Sequence, residues 1–195
     1  MNKKEIDLSL TRVERRLFLK NSSLFALGAT AAIGLAAPGR ALAGKMKMSE
    51  TDDLAILNVA LGLEYQAIAA YQVGAESGLL QKPVLDVAVK FQGHHKAHAD
   101  VLAGTIEKLG GKPVMAMRAE DYQFPVTQLK EQADVLRFAA GLEKGAASAY
   151  LGAVPQFSNR ELARAAASIL GDETMHWAIL LNALGEDPVP AAFIA

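Results

Sequence analysis

The chain has no cysteine among its 195 residues. Disulfides, iron–sulfur clusters, thiolate zinc sites and a thiolate-held iron acting as an electron donor within the chain are therefore excluded. It also lacks the alternation of apolar and polar residues that marks a half-buried strand, since its β-branched residues never alternate with polar ones over any length. Its apolar content, 51% of all residues, is rich in Ala and Leu and recurs at helical spacing.

The first part of the chain reads as an address rather than as fold. "TRVERRLFLKN" precedes an uncharged apolar and small-residue run from Ser22 to Pro38, and Ala41-Leu42-Ala43 follows as an A-x-A cleavage site. Arg15 and Arg16, with Phe18, Leu19 and Lys20 behind them, resemble the twin-arginine export motif, although Glu14 stands where Ser or Thr is usual. The resemblance implies passage through the twin-arginine translocase to a periplasmic or other extracytoplasmic location. It suits a bacterial or archaeal protein that folds, and takes up a cofactor, before it crosses the membrane. The run is short against the ~20 residues of a membrane span, and retention as an anchor is the other reading.

Cleavage after Ala43 removes seven Lys/Arg and three Asp/Glu, leaving 152 residues with 13 basic and 18 acidic side chains, a formal −5. That length supports one domain, residues 44–195, with a real core. The negative balance argues against nucleic acid as a partner.

Four apolar stripes at four–three spacing then predict four helices. Leu57, Leu61, Glu64, Ile68 and Tyr71 form the first, with Ser49 to Asp53 supplying capping and acidic first-turn residues. Val84, Ala88, Phe91, His95, His98, Leu102 and Ile106 form the second, from about Pro83 to Leu109, closed by "GGKP". Leu136, Ala140, Glu143, Ala147 and Tyr150 form the third, expected from Thr127 to Gly152. Leu162, Ala166, Ile169, Glu173, His176 and Leu180 form the fourth, from Asn159 to Leu184, stopped by "GEDP". The connection Gly110–Pro125 is long and the other two are short, so two helical hairpins are joined by a crossover.

The hairpins repeat each other. "LGLEYQAIAAY" (61–71) aligns with "AGLEKGAASAY" (140–150), and "GHHKAHADVL" (93–102) with "GDETMHWAIL" (171–180), at offsets of 79 and 78 residues. Six ionisable residues fall on the apolar stripes: Glu64, His95, His98, Glu143, Glu173 and His176. Each first helix of a hairpin supplies one Glu, and each second helix an i, i+3 pair on one face. Their oxygens and nitrogens together suit iron, manganese or zinc. A metal-free, hydrogen-bonded polar layer is the alternative.

This pattern resembles the ferritin-like superfamily, in which two helices each give a Glu and two give Glu-x-x-His to a dinuclear site. The resemblance covers the mature chain and implies an all-α ferritin-like four-helix bundle with a long crossover, of the exported rather than the cage-forming kind. It implies Glu64 and Glu143 as mainly terminal or chelating ligands, Glu173 as a bridge, and His98 and His176 as one ligand for each of two ions, iron or manganese. Asp172 would accept the free N–H of His98, while His94 at the equivalent position reads as surface or as a weak partner. Tyr71 and Tyr150, two turns from the Glu ligands, pack in the core, hydrogen-bond a carboxylate, or take part in redox chemistry.

One position departs from the family pattern: the second helix reads His95-Lys96-Ala97-His98, so a bridging carboxylate is replaced by an imidazole. With His95 the set is three carboxylates and three imidazoles, compatible with two ions, with one, or with zinc. The resemblance implies di-metal oxidoreductase chemistry on oxygen or peroxide, in oxidant defence or ferrous oxidation. No electron-donor module is present, so the donor is a separate partner or the reaction is a disproportionation. The competing expectation is a non-catalytic metal-binding or structural stress bundle with a mononuclear, zinc or empty site. A homodimer is expected from the family alone.

Overall fold

The computed structural model describes residues 50–194, and the expected export segment, residues 1–43, lies outside the described residues. Four helices make the fold: α1 (Glu50–Glu76), α2 (Lys82–Lys108), α3 (Gln132–Ala153) and α4 (Arg160–Ala183), with no strand among the described residues. α1 packs along α2 and α3 along α4 as two hairpins, and α1 also meets α3.

Local chemistry sets the helix ends. At the end of α2, the Gly111 N–H donates to the Ile106 carbonyl and the Gly110 N–H to that of Glu107, both at 2.9 Å. Gly110 takes φ +77°, a left-handed value that a side chain resists. The same closure ends α4, where Gly185 has φ +74° and the Glu186 N–H donates to the Leu181 carbonyl at 2.9 Å. Asn159 begins α4 by accepting from the Glu161 N–H at 2.9 Å.

The start of α3 differs from the expected Thr127. Residues Val126–Gln128 form only a 3₁₀ turn, and the helix begins at Gln132. Asp134 accepts from the Lys130 and Glu131 N–H groups at 3.0 and 3.1 Å, and Glu131 completes a capping box, which fixes the boundary there. The crossover therefore runs on to Glu131. Near its start it is tied to α1, where Asn58 accepts from the Val114 N–H at 2.8 Å and donates to the Lys112 carbonyl at 3.3 Å.

Between the hairpins the apolar stripes form two clusters. Leu57, Leu61, Leu102, Ile106, Tyr150 and Ile169 pack in one; Tyr71, Phe91, Leu136, Ala140 and Leu180 pack in the other. The six ionisable stripe residues belong to neither. They occupy mid-helix positions in all four helices, at the level where the clusters divide.

Candidate metal centre

Five of the six are sealed from water. Glu64, His95, Glu143, Glu173 and His176 are each no more than 2% exposed, while the His98 side chain retains 16%. Four-three spacing brings them inward, and the duplicated hairpins bring them together. His95 lies between the two lone glutamates: Nδ1 is 2.9 Å from Glu64 Oε2 and Nε2 is 3.2 Å from Glu143 Oε1. His98 Nδ1 stands 3.3 Å from Glu173 Oε1, and His176 Nδ1 stands 3.4 Å from Glu143 Oε2.

The tyrosines tie the hairpins crosswise. Tyr150 of α3 donates its hydroxyl to Glu64 of α1 at 2.5 Å, and Tyr71 of α1 donates to Glu143 of α3. Burial, with the neighbouring carboxylates, raises the pKa of both phenols well above 10, so both stay protonated donors.

Burial also works against charge on the imidazoles, but the carboxylates outweigh it. Hydrogen bonding to Glu143 and Glu64 raises His95 from 6.5 to about 10. His98, beside Glu173 and Glu64, rises to about 9, as does His176 beside Glu143 and Glu173. Glu64 and Glu143 are held below the ordinary 4.5 despite burial, Glu64 chiefly by His95 and His98, and Glu143 by His176 and His95. Without metal the layer is a packed set of ion pairs.

Those pairs leave atoms poorly satisfied. Among the described residues, five buried side-chain atoms make no well-formed hydrogen bond and meet one another only in loose ion pairs of 3.3–3.8 Å: His98 Nδ1, Glu143 Oε2, both carboxylate oxygens of Glu173, and His176 Nδ1. Every one belongs to this layer. Buried polar atoms held only by loose ion pairs are expensive, and their concentration on one layer fits a cation. Ligand atoms of Glu64, His95, His98 and Glu173 lie within 4.8 Å of one another, and so do those of His95, Glu143, Glu173 and His176. Two overlapping four-residue cradles thus share His95 and Glu173. Each mixes two oxygens with two nitrogens, a donor set for iron, manganese or zinc.

The rim is less buried. Asp172 Oδ2 lies 3.4 Å from His98 Nε2, 3.3 Å from His176 Nε2 and 3.0 Å from His94 Nδ1. His94 Nδ1 is also 2.9 Å from His176 Nε2, so it stands against a candidate ligand rather than on a plain surface. The signal was its alignment with Asp172 in the repeat. The sequence placed Phe91 on the apolar stripe without its partner: its ring stacks on His176 at 4.0 Å and walls that cradle with carbon.

Six mid-helix polar positions, three in each of two matched hairpins, define a helical bundle with a carboxylate–histidine centre. The chain belongs to the ferritin-like domain family, whose pattern it matches over residues 52–186. Among solved structures it is similar to a conserved hypothetical protein from Mycobacterium tuberculosis, at 24% identity and TM-score 0.63, over 74% of this chain and 98% of that one. It is also similar to a structure described as ferritin-like, diiron-carboxylate proteins from Bacillus anthracis, at 24% identity and TM-score 0.59, over 72% of this chain and 99% of that one. These likenesses show the fold. No curated protein matches it in sequence.

Proposed function

We propose that this is an exported metalloprotein whose bundle centre holds two ions, iron or manganese, and acts on oxygen or peroxide. The five buried atoms of the polar layer that make no well-formed hydrogen bond carry this reading. It is supported by the description of the Bacillus anthracis neighbour as a diiron-carboxylate protein, and by the twin arginines at Arg15 and Arg16. Glu64, His98 and Glu173 would hold one ion and Glu143, Glu173 and His176 the other, with His95 at the shared position. The chemistry such a pair of redox-active ions would supply there is electron transfer to an O–O bond. The chain's own part is to orient Glu64 and Glu143 through Tyr150 and Tyr71, and to exclude water with Phe91 and the two apolar clusters.

His95 favours a second reading. A neutral imidazole offers a single lone pair, so it cannot share itself between two ions as a carboxylate does. A single ion, zinc, or a non-catalytic binding role follows if that loss is decisive. Elemental analysis of the chain purified from its exported fraction, beside His95→Glu, separates the readings. About two irons or manganeses per chain support the dinuclear centre. One ion, zinc or none, with a second ion recovered in His95→Glu, replaces it by the second reading.

A further inference from the structure

The internal duplication makes the two ends of the bundle comparable residue by residue. Each end has a space bounded by the tyrosine that reaches the polar layer. At the Tyr150 end this space is nearly closed, at about 30 Å³. At the Tyr71 end it is a cavity of about 240 Å³. The linings correspond through the 79- and 78-residue offsets: Tyr71 to Tyr150, Leu136 to Leu57, Ala139 to Ala60, and Leu180 to Leu102. Substitutions between the two linings run in both directions. Leu162 and Ile56 at the closed end are Val84 and Val135 at the open one, while Ala165 and Val101 are Val87 and Ile179; Phe157 packs against the closed end from the α3–α4 connection.

Protein interiors rarely leave space of this size empty, and a void of about 150 Å³ lined by carbon already takes up benzene. The lining here is carbon except for the Tyr71 hydroxyl, which donates to Glu143. An extended peptide would carry N–H and C=O groups into a wall with nothing to receive them, so an extended protein segment does not fit. Along α3 the lining extends from Val135 to Leu142, roughly 10 Å of helix, so the space is elongated. Exposed Ile179, 46% accessible, and exposed Pro83 stand at its edge.

The geometry points to a binding site for one alkyl chain of about eight carbons at the Tyr71 end of the bundle. Its inner end lies against the tyrosine that holds Glu143, and its polar head stays outside beside Ile179. The site stands on the cavity alone, so its success or failure is separate from that of the metal centre.

The test titrates 1-octanol into the full chain, with and without bound metal, and reads the fluorescence of Trp177. This is the only tryptophan in the chain, and it packs against the same cluster as Tyr71 and Leu180. Saturable binding of one octanol per chain is expected in both forms, with affinity rising from hexanol to octanol and levelling off by dodecanol. Two filled variants, Val84→Leu with Ala139→Leu, and separately Ala88→Phe, should each weaken binding at least tenfold while circular dichroism shows the helices intact. Absence of saturable binding overturns the proposal. So does equal affinity in a folded filled variant, or affinity that keeps climbing through dodecanol, which marks adsorption to the surface.

Discussion

The pairs Tyr71–Glu143 and Tyr150–Glu64 join opposite hairpins, and each places a protonated phenol on a buried carboxylate. A hydrogen bond to a charged group contributes about 1.5–3 kcal/mol, and removing the donor leaves the carboxylate short of one partner. Tyr150→Phe should therefore lower the stability of the metal-free chain by about 2 kcal/mol, with Tyr71→Phe close to it because the two are related by the repeat. Urea unfolding reads this as a shifted midpoint at unchanged slope. A loss below about 0.5 kcal/mol in both variants would mean that these bonds do not hold the hairpins together. The phenols stood on the apolar stripes, so their depth was legible in the sequence. Their crosswise partners were not, because a stripe says which face is buried and not which residue of another hairpin lies opposite.

At the scale of elements, Asp53 shows how far a local pattern can mislead. It reads as an acidic first-turn residue of α1, yet it is 1% exposed and serves another helix. Its carboxylate accepts from the Ser158 N–H at 2.7 Å, the Ser158 hydroxyl at 2.6 Å and the Asn159 N–H at 3.0 Å, fixing the turn that leads into α4. Asp53→Ala strands three donors and should cost about 3 kcal/mol, more than an ordinary cap substitution. Thermal melting beside an exposed control such as Asp86→Ala checks this, and equal melting temperatures would remove the role. The four helices, the hairpins and the crossover were readable because periodicity and Gly-closed ends are local signals. Asp53 and the Gln132 start of α3 were not, since each depends on hydrogen bonds made by folded backbone: contacts some hundred residues away in the first case, and a capping box favoured over the helical pattern of 127–131 in the second.

For the whole molecule, the polar layer is where folding, protonation and metal binding meet, because all four helices contribute to it. In the metal-free chain His95, His98 and His176 have pKa values raised from 6.5 to about 10, 9 and 9. Folding therefore takes up protons at these groups. Their contribution to stability is fully present below about 6.5 and is lost as pH rises through 9 and 10. Glu64 and Glu143, depressed below 4.5, contribute above that value and lose their contribution as pH falls through their folded values. The metal-free chain should then be most stable between about pH 4.5 and 6.5 and should weaken steadily from pH 7 to 10. Metal binding reverses the upper limb, because each imidazole must release its proton to bind an ion and affinity rises with pH. At a thousandfold excess over the dissociation constant the bound form gains about 4 kcal/mol. Melting curves of chelated and metal-loaded protein from pH 5 to 10 should diverge as pH rises. Parallel curves would show that metal binds without displacing these protons, outside the six-residue layer. A flat curve for the chelated protein above pH 7 would show that its imidazoles are neutral and that the ion pairs around His95 do not hold the two hairpins together.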